Sequence, residues 1–244
     1  MSRNNLMQQL QYDPSPRAGP EGDPVTRNTW GERASGAWAR EEALKLAQQV
    51  FLAPAGGSPQ MVVFAGIEHG NGCSRVCASV AETLAVIAQG PVCLVEANFR
   101  SPALPKLFGT TNHHGLVDAL GWEGPIHSFT KPVGVENLWL LSCGNLIADS
   151  ASLLASEAIK ERLSELRSKF RFVIVDAPPL TRYADAMVVG QMADGVVLVL
   201  EAGVTRREHA HRVVGELRSS HVPILGAVLN KRTFPIPEKI YDKL

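Results

Sequence analysis

The chain has 244 residues, with 24 basic residues balanced by 24 acidic ones and 45% hydrophobic content. That length and apolar share suffice for a sizeable core, while the zero formal charge leaves no one-signed field for nucleic acid or a membrane surface. Apolar runs are of strand length only and the N-terminus is polar, so neither a membrane span nor a secretory signal is read, and a cytoplasmic protein is expected. Cys73, Cys77, Cys93 and Cys143 lack the spacing of a disulfide framework, which points to reduced thiols.

Residues 1–36 carry Pro14, Pro16, Pro20 and Pro24 without an apolar period and read as a disordered tail, leaving residues 37–244 as one domain. Trp38, Ala43, Leu46, Ala47 and Val50 fall near a helical period that stops before Pro54, with Glu42, Lys45 and Gln48 on its polar face. An apolar strand at 61–65 enters a turn containing Gly66, Gly70 and Gly72, and a helix from about residue 74 follows, ending at Gly90-Pro91. Strand, glycine turn and helix in that order aim backbone N–H groups and a helix dipole at the turn, as phosphate-binding loops do.

Further strands are predicted at 92–96, 138–142, 172–176, 196–200 and 224–229, the last two as buried strands. Helices are predicted at 150–169 and 206–219, with loops and short helices over 103–136. Continuous apolar strands alternating with helices imply an α/β fold, a mostly parallel sheet covered on both faces. Ligands then bind at the carboxyl ends of the strands, where segments 70–75, 96–100 and 176–179 converge. An acidic residue ending an apolar strand, as Asp176 does, is costly unless used.

These segments read HGNGCSR, LVEANFRSP and VIVDAPP. In content and order they resemble the bacterial tyrosine kinases of capsule and exopolysaccharide synthesis, P-loop ATPases related to the partitioning and division-site ATPases. Gly115-Leu116 with Leu120-Gly121, SLLAS at 152–156 and GAVLN at 226–230 also match the family's pattern. The resemblance implies nucleotide binding by Gly70, Asn71, Gly72, Cys73, Ser74, Arg75 and Asn230, the last at adenine. It implies Mg²⁺ on Ser74 and Asp176, catalysis by Glu96, Asn98 and Asp176, and a membrane chain-length or export protein as partner.

Departures from the pattern shape the expected function. Cys73 stands where the family's lysine reaches the phosphates, Ile67 where a small residue is usual, Glu96 and Asn98 where it has two aspartates, and Arg75 where it has threonine. Two residues beyond Cys73, Arg75 should point away from the lysine's direction. Losing one charge-assisted bond to phosphate costs about 1.5–3 kcal/mol, roughly tenfold to a hundredfold in affinity. Losing a donor aimed at transition-state charge costs about 10²–10³ in rate. Binding of ATP and Mg²⁺ is therefore expected to be weakened or lost, and the chain to be a degenerate, catalytically impaired regulator or scaffold.

An active ATP-dependent tyrosine kinase is the alternative, and a partitioning-type ATPase the next, although Glu68 occupies the place of that class's extra lysine. The family's ring-forming ExxRxxR helix is reduced to Glu42, Lys45 and Gln48, which also read as an ordinary solvated face. Homo-oligomer formation is left open, and the family's tyrosine cluster is reduced to Tyr241. His113 and His114 read as solvated loop residues. His69, Cys73 and Cys77 recur at intervals of four, yet a loop residue plus two helical thiols seldom closes a metal site.

Overall fold

The computed structural model describes residues 37–52, 57–122, 124–145, 153–154 and 156–232. The tail expected at 1–36, the side chain of Trp38 and Tyr241 lie outside them. In chain order the elements are α1 (Ala37–Ala47) with a π-helical turn (Gln48–Leu52), β1 (Met61–Gly66), α2 (Cys73–Ile87), β2 (Val92–Glu96), α3 (Leu104–Leu107) and α4 (Leu116–Gly121). A 3-10 turn (Ile126–Phe129), β3 (Lys131–Pro132), β4 (Leu138–Leu141), α5 (Glu157–Lys169) and β5 (Phe172–Ala177) follow. Next come α6 (Asp185–Gly190), β6 (Gly195–Glu201), α7 (Arg207–Ser219) and β7 (Ile224–Asn230).

The strands form a seven-stranded sheet in the order β3-β4-β2-β5-β1-β6-β7. Only β3 runs antiparallel, against β4. Alternate strand residues point to opposite faces, so β1 feeds two cores. Met61, Val63 and Ala65 pack on one side with Leu116 of α4, Ile159 and Leu163 of α5, and Leu217 of α7. Val62 and Phe64 pack on the other side with Ala47 of α1 and with Cys77, Val80 and Leu84 of α2. Central β1 and β5 are buried throughout, as expected of parallel strands covered on both faces.

Three expectations need correction. The uninterrupted helix α5 begins at Glu157 rather than near residue 150, because the Ser156 side chain accepts the Ile159 N–H at 3.4 Å and caps it there. Helix α2 ends at Ile87, and Gln89 turns the chain with φ of 46°. Strand β7 is an edge strand rather than a buried one, with Leu229 58% exposed, because no strand pairs with its outer side among the described residues.

Candidate functional site

Strand β1 ends in the middle of the sheet, and the chain must turn sharply to start α2 above it. Gly70 and Gly72 make the turn with φ of 89° and 83°, a left-handed backbone that favours glycine. At Gly72 space is limiting as well, since a Cβ there would stand 2.5 Å from Asn230 Nδ2. The Asn71 side chain is buried, and its Oδ1 accepts the Glu68 N–H at 2.6 Å. Thr181 Oγ1 donates to the Ile67 carbonyl at 2.7 Å, and His209 Nδ1 lies 2.5 Å from Glu68 Oε1.

Residues after β7 close the loop from the other side. Asn230 Nδ2 donates to the Asn71 carbonyl at 2.8 Å, so the residue expected at adenine is placed against the loop. Lys231 Nζ donates to the Gly70 carbonyl at 2.7 Å and pairs with Glu201 at 3.1 Å. Sequence reasoning missed Lys231, Thr181 and His209; the one available signal was that Lys231 follows the strand-end Asn230.

Beneath the loop, the last residue of β2 and the fifth of β5 are direct neighbours, pairing Glu96 with Asp176. Both carboxyl groups are fully buried. Glu96 Oε2 accepts the amides of Ala103 and Leu104, each at 2.8 Å, and so caps α3. Glu96 Oε1 and Asp176 Oδ2 have no hydrogen-bond partner among the described residues. Cys77, on the buried face of α2, donates its thiol to Asp176 Oδ1 at 3.7 Å, and Cys73 Sγ lies 4.0 Å from Cys77 Sγ.

Burial is the largest influence on both acids. It pushes Glu96 well above the usual carboxylate range, with the Asp176 charge adding to the rise and amide bonds opposing it. Asp176 is raised to about 6, because burial outweighs the lowering influence of the nearby Ser74, Cys73 and Cys77 side chains. The hydrogen bond with Cys77 lowers the Cys73 pKa, but burial and the two carboxylates outweigh it and bring the thiol up to about 11.

The remaining sequence candidates are more peripheral. Asn98 Oδ1 accepts the Ser101 N–H at 3.2 Å and shapes the turn after β2. Arg100 contacts Asp185 at 3.4 Å and lies 4.5 Å over the Tyr183 ring. Arg75, His69, His113 and His114 are exposed. On α1, Lys45 pairs with Glu41 and Glu42 at 3.1 and 3.0 Å.

The loop suits an anion, since the amides of Cys73 and Ser74 open α2 without intrahelical partners. The position below it suits Mg²⁺ poorly. That ion takes octahedral oxygen ligands, whereas Asp176 shares its surroundings with two thiols.

No protein-family model matches the chain. It is 32% identical over 162 residues to the tyrosine-protein kinase YwqD of Bacillus subtilis, covering 66% of this chain and 68% of that one. With the tyrosine-protein kinase wzc of Salmonella typhimurium it shares 28% identity over 172 residues, 70% of this chain and 24% of that one. The chain thus spans about a quarter of the length of the wzc protein.

Among solved structures, the chimerical protein CapA2B2 superposes with a TM-score of 0.74 at 23% identity, covering 80% of this chain and 85% of the other. The Escherichia coli ETK kinase domain gives 0.67 at 24% identity, over 72% and 70% of the chains. The septum site-determining protein MinD of Pyrococcus horikoshii gives 0.59 at 20%, over 75% and 76%. These structures share the P-loop ATPase fold. With the YwqD relationship covering two thirds of both chains, the protein belongs to the bacterial tyrosine kinase family.

Proposed function

We propose that the chain is a tyrosine-kinase-like P-loop protein of capsule or exopolysaccharide synthesis that works as a regulator or scaffold, its nucleotide chemistry weakened or lost. The observation that carries this reading is Cys73: a thiol raised to about 11, and therefore neutral, sits beside two buried carboxyl groups where the family pattern has a lysine. Such a site lacks the positive charge that phosphate needs, and it cannot supply that charge as a transition state develops. Lys231 touches the loop, but Glu201 neutralises it. By resemblance the partner is the cytoplasmic end of a membrane chain-length or export protein. Recruitment to the inner face of the membrane by that partner is part of the same reading; no described helix is long and apolar enough to cross a membrane.

Calorimetric titration of Mg-ATP and Mg-ADP into the wild type, Cys73→Lys and Asp176→Ala tests the reading. Affinity is expected to be weak or absent in the wild type and to rise roughly tenfold to a hundredfold in Cys73→Lys. Tight wild-type binding that Cys73→Lys leaves unchanged, or rapid ATP-dependent tyrosine phosphorylation by the wild type, would overturn it.

A further inference from the structure

We propose that Cys73, Cys77 and Asp176 form a binding site for a thiophilic d¹⁰ divalent cation, Zn²⁺ being the natural candidate. The ligand atoms come from two elements that the fold holds rigidly together. Cys73 and Cys77 lie one helical turn apart on α2, so their sulfurs share a face, and Asp176 rises from β5 beneath them. All three ligand atoms lie within 4.8 Å of one another.

The spacing suits the ion. Tetrahedral zinc with Zn–S of about 2.3 Å and Zn–O of about 2.0 Å requires a sulfur–sulfur edge of roughly 3.8 Å and a sulfur–oxygen edge of roughly 3.5 Å. The corresponding separations are 4.0 Å for Cys73 to Cys77 and 3.7 Å for Cys77 to Asp176. The third edge, Cys73 to Asp176, is no longer than 4.8 Å, and drawing it in to roughly 3.5 Å completes a three-ligand set, with water as the fourth ligand.

A second, independent observation comes from the carboxyl groups. Asp176 is fully buried, and its Oδ2 has no partner among the described residues. Neighbouring Glu96 leaves Oε1 in the same state. A buried oxygen without a partner is costly, and two of them on paired residues of neighbouring strands suit a positive charge. Cys73 is half-buried as a residue, whereas Cys77 is buried.

Binding would exchange the two thiol protons for two metal–sulfur bonds and release the protons to solvent, with no redox step. The other cysteines lie outside the cluster: Cys93 faces the opposite core, and Cys143 donates to Asn112 Oδ1 at 3.3 Å. The inference goes beyond the nucleotide reading and does not depend on it.

The test uses the whole chain, metal-free, in a phosphine reductant, without nucleotide. Cd²⁺ is followed by its ultraviolet thiolate charge-transfer band, and Zn²⁺ by competition with a chromophoric chelator. One equivalent of Cd²⁺ with the intensity of two thiolates is expected in the wild type. Cys73→Ser should halve the band and weaken Zn²⁺ at least about tenfold, the loss typical of even an outer-sphere partner.

Asp176→Asn, which preserves shape, should weaken Zn²⁺ similarly and keep the full band, while Cys143→Ser should change neither. Absence of the band in the wild type, or a band and affinity unaffected by Cys73→Ser, would overturn the proposal. Neither result depends on whether ATP binds.

Discussion

Replacing Asp194 by asparagine should expose a cross-tie on which the position of β1, and hence of the loop, depends. Asp194 Oδ2 accepts the amides of Gln60 and Met61, both at 2.7 Å, one residue before and at the start of β1. The same carboxylate receives Arg167 of α5 through both terminal nitrogens at 3.0 Å. In Asp194→Asn, one oxygen can still accept the two amides, but an NH₂ group then meets the guanidinium, donor against donor. Hydrogen bonds to charged groups contribute about 1.5–3 kcal/mol. Partial solvation of the pair favours the lower end, so about 2 kcal/mol is expected, or a fall in Tm of roughly 6 °C for a chain of this size.

The pH dependence of that difference has a defined sign. Burial alone would raise the Asp194 pKa, yet the Arg167 bonds and the two amides bring it below its ordinary 3.8. The carboxylate's contribution is therefore fully present above 3.8 and lost as pH falls through the depressed folded-state value. Urea unfolding of both proteins, from neutral pH downward, measures it. A difference under about 0.5 kcal/mol at neutral pH, or one that widens below 3.8, would refute the reasoning.

Two further outcomes follow from the loop. Gly72→Ala places a Cβ 2.5 Å from Asn230 Nδ2 on a backbone with φ of 83°. Left-handed strain of about 1–2 kcal/mol and a displaced Asn230 bond of about 1 kcal/mol should destabilise the chain by about 2–3 kcal/mol; unfolding unchanged within error would count against the packing described. Cys73, raised to about 11, should alkylate with iodoacetamide at mildly basic pH roughly a hundredfold more slowly than an unperturbed cysteine, accelerating as pH rises. Peptide mapping that finds Cys73 labelled at the rate of a free thiol would contradict its electrostatic setting.

The strands that carry the site were legible because each is a continuous apolar run ending in a residue of another kind. Gly66 ends β1, Glu96 ends β2, and Asp176 with Ala177 ends β5. Parallel order then requires those ends to share one edge. What stayed hidden depended on partners rather than on local pattern. The apolar run of β7 reads as buried, but exposure is set by whether another strand pairs beside it. Leu153 and Leu154 continue the period of α5, and only the Ser156 cap decides that the uninterrupted helix starts later. Elements as short as β3 and α6 carry too few residues for any period to show.

Within the site, the Glu96–Asp176 pairing follows from strand order. The role of Cys77 does not: its position reads as ordinary helix core, and its meeting with Asp176 depends on how α2 lies across β5. His69 shares the four-residue spacing, but the loop turns it outward. Spacing alone therefore gave no sign that Asp176 is the residue that meets the two thiols.

Charge balance links these observations. Two carboxylates on neighbouring strands, at the usual separation of about 5 Å and an effective dielectric near 20, repel by about 3 kcal/mol when both are ionised. A lysine over them would offset that repulsion, whereas a thiol does not. Burial and the Asp176 charge push Glu96 well above the usual carboxylate range, and Asp176 is left among Ser74, Cys73 and Cys77. Cys73 in the lysine's place therefore does more than remove a phosphate ligand. With Cys77 one turn below, it replaces a fixed cation with two soft donors, and the place best suited to a bound positive charge moves from above the loop to beneath it.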